Sequence, residues 1–184
     1  MPRHPQQGFS LIELVVTIAI LAIVVSIAVP SFQNTQRDWR VEADRQTINQ
    51  ALNLARQTAI TNQATVLVCP TADRVNCNNN WANPLMVYIE RTAPAGQVNA
   101  GDRVLTATEA VANVTRSYNN GNTLTFTRTG AINNPGTLTI CPGDGTRTSA
   151  QALIVSFIGR ARLATDGNAD GIVEGGNGQN VNCP

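Results

Sequence analysis

From Phe9 to Val29 the chain reads FSLIELVVTIAILAIVVSIAV, apolar at every position except Ser10, Glu13, Thr17 and Ser26. Twenty-one residues at a helical rise of about 1.5 Å predict an apolar helix of roughly 30 Å, enough to cross a bilayer core. Beyond Pro30 the pattern changes. Val41, Ile48, Leu52, Ala55 and Ala59 recur at spacings of 7, 4, 3 and 4, a single apolar stripe on an otherwise polar helix. Arg37, Arg40, Arg45 and Arg56 lie among Asp38, Glu42 and Asp44, several pairs three or four apart, which reads as a solvated, salt-bridged face. The two stretches together predict one helix of about 50 residues, ending near Asn62.

Past residue 63 the period shortens to that of strands. Thr65–Cys69, Leu85–Glu90, Arg103–Ala107, Val114–Tyr118, Thr123–Arg128, Thr137–Cys141 and Ala152–Ile158 are separated by Asn, Gly and Pro clusters. Ala152–Ile158 is a nearly continuous apolar run and predicts a central strand buried on both faces. A helix followed by short strands gives an α+β fold, with the amphipathic half of the helix packed against a β-rich globular domain. The expected segments are 1–8, 9–36 (apolar half of the helix), 37–62 (amphipathic half) and 63–184 (β-rich domain).

Composition narrows the function classes. All 13 basic residues are arginines, and the single histidine is His4. The common general acid–base and nucleophilic designs therefore lack their usual residues, and no cluster of acids replaces them. Neither an enzyme nor a bound cofactor is expected. The formal net charge is +1, which excludes a generally basic nucleic-acid coat. The charge is nonetheless uneven: residues 37–165 hold 12 arginines and 8 acids, whereas the tail from 166 onward carries Asp166, Asp170 and Glu174 without an arginine.

Cys69, Cys77, Cys141 and Cys183 form no C-x-x-C pair, so disulfides in an oxidising compartment are expected rather than a zinc site. Of the three pairings, proximity in sequence favours Cys69–Cys77 and Cys141–Cys183. Asp166, Asn168 and Asp170 place oxygens at alternate positions, as the start of a calcium loop does, but the twelfth position is Asn177 rather than glutamate. An Asx-rich turn is the plainer reading.

Glu13 stands out within the apolar run. A carboxylate there costs on the order of 2.5–3.5 kcal/mol near a bilayer centre, and a cleaved secretory signal gains nothing from it. It calls for a partner, either a positive charge from another chain or a free α-amine.

Gly8-Phe9-Ser10-Leu11-Ile12-Glu13-Leu14 resembles the class III signal of type IV pilins and type II secretion pseudopilins. The resemblance implies that a prepilin peptidase cuts after Gly8 and methylates the new N-terminus at Phe9. It also implies that Glu13 pairs with the terminal amine of a neighbouring subunit, and that Pro30 lies where the family's helix kinks. The expected location is a single pass of the bacterial inner membrane with a periplasmic domain, followed by assembly with other pilins into a pilus at the cell surface.

The order of parts resembles the FimT/FimU and pseudopilin-H group of minor pilins. In Ile154-Val155-Ser156-Phe157-Ile158-Gly159-Arg160-Ala161-Arg162, the residues Gly159, Arg160 and Arg162 match the G-R-x-R motif that FimT-type proteins associate with DNA binding in natural transformation. Physically, Gly159 permits a turn, and two arginines two apart on an extended segment share one face. Each guanidinium can grip a phosphate bidentately without reading base sequence. The alternative is an ordinary turn and edge strand kept soluble by its charges. Arg147, in the glycine-rich loop 142–149, would widen the patch, whereas the acidic tail would oppose it. The resemblance thus implies a minor pilin that captures double-stranded DNA for uptake. A structural or priming minor pilin, or a type II secretion pseudopilin, without DNA contact is the alternative.

Overall fold

The computed structural model describes residues 10–184, so His4 and the expected processing residues Gly8 and Phe9 lie outside the described residues. A single helix, α1, spans Leu11–Thr61 and continues through Pro30. Ser10 caps its start, its Oγ accepting the Glu13 N–H at 3.2 Å. The chain divides into two compact units between Arg37 and Asp38.

In the first unit the large apolar side chains from Leu11 to Val29 and Phe32 are exposed. The helix is long and apolar enough there to cross a membrane. An apolar surface of that extent is stable only when lipid or other apolar helices cover it.

The second unit contains, among the described residues, eight strands in two four-stranded antiparallel sheets. Sheet one has the order β3(Arg103–Ala107)–β2(Leu85–Glu90)–β1(Thr65–Pro70)–β5(Leu124–Phe126). Sheet two runs β4(Val114–Tyr118)–β6(Gly136–Pro142)–β7(Gln151–Val155)–β8(Ala161–Leu163). The amphipathic stripe of α1 explains the arrangement. Val41, Ile48, Leu52, Ala55 and Ala59 are buried against Val66, Val68, Val87 and Ile89 of sheet one and Leu138, Ile140, Leu153 and Val155 of sheet two.

Because side chains alternate across a strand, the intervening residues face outward and form two smaller cores. Leu67, Cys69, Met86 and Tyr88 lie under two loops, one carrying Cys77 and the other Val98. Cys141, Ala152 and Ile154 lie under Ala164, Ile172 and Val181 of the C-terminal tail. The disulfides Cys69–Cys77 and Cys141–Cys183 each fasten one of these covers to its sheet. Every buried hydrophobic residue among those described belongs to 38–184, which gives this unit a complete core of its own.

The structure corrects three local expectations. The run Ala152–Ile158 is not one buried strand: β7 ends at Val155, and Phe157 and Ile158 are 67% and 57% exposed at the tip of a hairpin. The return strand β8 is a three-residue edge that periodicity did not reveal. Asp44 is not on a solvated face. It is fully buried, with Arg116 donating from Nε to its Oδ2 at 2.7 Å and from Nη2 to its Oδ1. Asp44 sits three residues after Val41 and four before Ile48, squarely on the apolar stripe, and that spacing was the signal for its burial. The neighbouring Glu42–Arg45 pair is the kind the helix pattern predicts. Arg45 donates from Nε to Glu42 Oε2 at 3.0 Å, and its hydrogen bond lowers the Glu42 carboxyl to about 2.

Candidate functional site

The hairpin joining β7 to β8 is fixed by backbone bonds. Ser156 and Gly159 close the turn through Ser156 N–H to Arg160 O at 2.9 Å and Gly159 N–H to Ser156 O at 2.8 Å. A second turn packs beneath it at residues 127–131, where Thr127 N–H donates to Ala131 O at 2.8 Å and Gly130 N–H to Thr127 O at 2.8 Å. The two turns are linked by Ile132 N–H to Phe157 O at 2.9 Å. From α1, Arg56 Nε donates to Ile158 O at 3.2 Å.

Gly159 does more than permit a turn. Its φ is +73°, and a Cβ at this position would lie 2.0 Å from the Gly130 carbonyl oxygen. No side-chain-bearing residue fits while the turns remain in contact. Gly159→Ala is therefore expected to destabilise the 38–184 unit by at least about 2 kcal/mol, combining left-handed strain with a backbone clash. Urea denaturation checks this, and a loss below about 0.5 kcal/mol would show that the turns separate freely.

Arg160 and Arg162 are exposed, and neither side chain makes a hydrogen bond or ion pair among the described residues. Arg162 pairs with Ile154 across the hairpin, so its side chain rises on the outer face of sheet two. There it lines an open groove of about 450 Å³ together with Thr165, Asn168 and Glu174. The acidic tail thus shares a groove with this arginine.

Arg147 is exposed on a single 3-10 turn, Arg147–Ser149. Its charge acts on Asp170, whose carboxyl is held below the usual range first by the Asn180 amide, then by the Ile172 N–H, with Arg147 adding to both. This arginine accompanies the tail's acids.

Asp166, Asn168 and Asp170 form a closed hydrogen-bonded turn. The Asp166 oxygens accept from Ala169 N–H and Gly171 N–H, each at 2.7 Å. Asn168 Oδ1 accepts from Asp170 N–H, and Asp170 Oδ1 from Ile172 N–H, each at 2.9 Å. Backbone donors thus already occupy the oxygens that a cation would take. Among the described residues, no group of three or more His, Cys, Asp or Glu side chains is arranged to hold a metal ion.

The structure brings two further arginines to the hairpin that the sequence reading did not select. Arg128 is exposed on the 127–131 turn, and Arg56 reaches the tip from the helix. Their separation in sequence, 102 residues for Arg56 and Ile158, left no local signal. Glu13 is exposed on the first turn of α1.

The family model described as type II transport protein GspH matches residues 44–159, and the prokaryotic N-terminal methylation motif matches residues 3–29. The first match spans Asp44 to Gly159 and stops short of Arg160 and Arg162. No curated protein sequence matches the chain. Among solved structures, the chain is similar to the type IV minor pilin FimU of Pseudomonas aeruginosa. The TM-score is 0.55 at 19% identity, covering 72% of this chain and 91% of that one. It is also similar to the minor pseudopilin EpsH from the type 2 secretion system of Vibrio cholerae. There the TM-score is 0.51 at 20% identity, covering 70% and 99% of the two chains. These likenesses establish the fold, a long N-terminal helix with a C-terminal antiparallel β domain.

Proposed function

Because the chain belongs to the family of the type II transport protein GspH, a group of minor pilins and pseudopilins, we propose that it is a minor pilin that captures double-stranded DNA through Arg160 and Arg162. The coarser part of this reading rests on the family. The chain is a pilin-type subunit rather than an enzyme, and its methylation motif and apolar helix imply prepilin peptidase processing, membrane anchoring and assembly with other pilins. We further propose Gly8–Phe9 as the processing site, Phe9 as the methylated residue and Glu13 as the assembly contact.

The observation that carries the DNA reading is the state of the two arginines. Both are exposed and unpaired among the described residues, and both leave a turn locked by the contact of Gly159 with Gly130. An arginine held on a fixed backbone loses less freedom on gripping a phosphate than one on a mobile loop. Arg160 and Arg162 lie two apart, so their guanidiniums share a face and can engage successive phosphates of one strand. Such contacts are blind to sequence.

The test is a mobility shift of duplex DNA by the 38–184 unit and by its Arg160→Ala/Arg162→Ala variant at two salt concentrations. The wild type is expected to retard DNA with a log–log salt slope of roughly −0.9 per phosphate contact, near −2 for the pair. The variant should lose most of that retardation. Equal retardation by both proteins, or none by either, would assign the chain to the purely structural role of a tip, priming or pseudopilin subunit. Weak binding by one subunit is compatible with the reading, because display of several copies on a filament multiplies avidity.

A further inference from the structure

Phe157 and Ile158 are the anomaly of this surface. They are 67% and 57% exposed, side by side, at the outermost point of a turn that nothing leaves free to move. The carbonyls of Ser156, Phe157, Ile158 and Arg160 each accept a hydrogen bond from within the molecule. The tip is therefore rigid, and it holds an aromatic ring and a branched aliphatic chain in water. The ring has no aromatic neighbour among the described residues.

The surroundings specify what would cover it. The two turns in contact read Thr-Arg-Thr-Gly-Ala at 127–131 and Ser-Phe-Ile-Gly-Arg at 156–160, with an arginine in each and no acid in either. Arg56 approaches from α1, and Arg162 follows on β8. An aromatic face within a cluster of cations is the arrangement that binds single-stranded nucleic acid: cations take the phosphates, and the ring stacks on an exposed base. A duplex offers that ring no base face except at an end or a melted step.

We infer that the tip of the β7–β8 hairpin stacks an unpaired base of single-stranded DNA on Phe157, with Arg128, Arg160 and Arg162 on the flanking phosphates. This rests on the reading of Arg160 and Arg162 as phosphate contacts and extends it to the form of DNA preferred.

The experiment measures fluorescence anisotropy of a labelled oligo-dT strand and of a blunt duplex of equal length, titrated with the 38–184 unit, which carries its own complete core. Phe157→Ala is expected to weaken single-strand binding roughly 5- to 150-fold, the range for loss of one stacked base, while duplex affinity moves by less than about twofold. Phe157→Tyr should retain binding and Phe157→Leu should not, separating stacking from simple apolar contact. Since Phe157 is exposed, all three variants should melt with the wild type.

Unchanged single-strand binding by Phe157→Ala, with loss of both ligands in Arg160→Ala/Arg162→Ala, would overturn stacking and leave the phosphate clamp intact. Absence of binding to either ligand by the wild type would overturn both readings. Phe157-dependent sedimentation with phosphatidylserine vesicles, without any strand preference, would mark the tip as a membrane contact and overturn the inference.

Discussion

Asp44→Asn is expected to remove about 3–5 kcal/mol from the stability of the 38–184 unit, the typical effect of stranding one member of a buried ion pair. The Asp44 and Arg116 side chains are 0% and 2% exposed, so neither charge can turn to water when its partner is lost. Arg116 projects inward from β4 between Val114 and Tyr118 and reaches Asp44 on α1 with a two-point grip. Its Nη1 also donates to the Asn83 carbonyl at 3.0 Å, just ahead of β2. One guanidinium therefore joins the helix, the edge of sheet two and the approach to sheet one.

Removing the pair as a unit is a different experiment. Asp44→Leu with Arg116→Met takes away both charges and fills the space with carbon. That double variant should recover most of the single-variant loss, because desolvating two ions offsets much of their attraction. Urea denaturation of the wild type, the two single variants and the double variant measures the coupling. A single-variant loss below about 1 kcal/mol would mean that water reaches the pair.

The second large effect is expected at the tail. Cys141–Cys183 closes a loop of 42 residues, and Cys69–Cys77 one of 8. Loop-closure entropy gives about 4 kcal/mol for the first and about 2.5 kcal/mol for the second. Cys141→Ser/Cys183→Ser should therefore lower the melting temperature by roughly 8–16 °C, and Cys69→Ser/Cys77→Ser by less.

The larger loss also has a local signature. Ile172 and Val181 cover Ala152 and Ile154 only while the tail lies on sheet two. One bond ties it to the sheet, from Gly176 N–H to Thr137 Oγ1 of β6 at 2.9 Å, and two backbone bonds brace the tail itself, Glu174 N–H to Thr165 O at 3.1 Å and Val181 N–H to Val173 O at 3.0 Å. Hydrogen exchange at those two amides should rise well above that of β6 in the variant. The reverse order of the two losses, or unchanged exchange at Glu174 and Val181, would show that packing rather than the covalent link holds the tail.

The expectations that failed have a common origin. The Ala152–Ile158 run is uniformly apolar for two different reasons: Ala152 to Val155 are buried on both faces of a sheet, whereas Phe157 and Ile158 stand in solvent. Hydropathy cannot separate an apolar residue buried by its fold from one left exposed at a turn. Gly159 was legible as a turn former, but the oxygen that excludes a Cβ belongs to Gly130, 29 positions earlier. Arg147 reads as widening the patch and Arg162 as part of the arginine motif. The tail, fastened by Cys183, instead brings Asp170 under the influence of the first and Glu174 into the groove of the second.

By itself the sequence determined whatever depends on neighbours within a few turns. The apolar run fixed a helix that needs lipid or other apolar helices around it. The stripe from Val41 to Ala59 fixed the face that meets the sheets, and the alternating segments fixed seven of the eight strands in type if not in length. These follow from backbone hydrogen bonding and side-chain periodicity, which are local. The tertiary structure decided which distant groups share a low-dielectric or crowded space. It buried Asp44 with Arg116, locked Gly159 on Gly130, gathered Arg56 and Arg128 at the hairpin tip and laid an acidic tail across sheet two. Such juxtapositions carry no periodic signature, because they depend on how the sheets close around the helix rather than on any one segment's pattern.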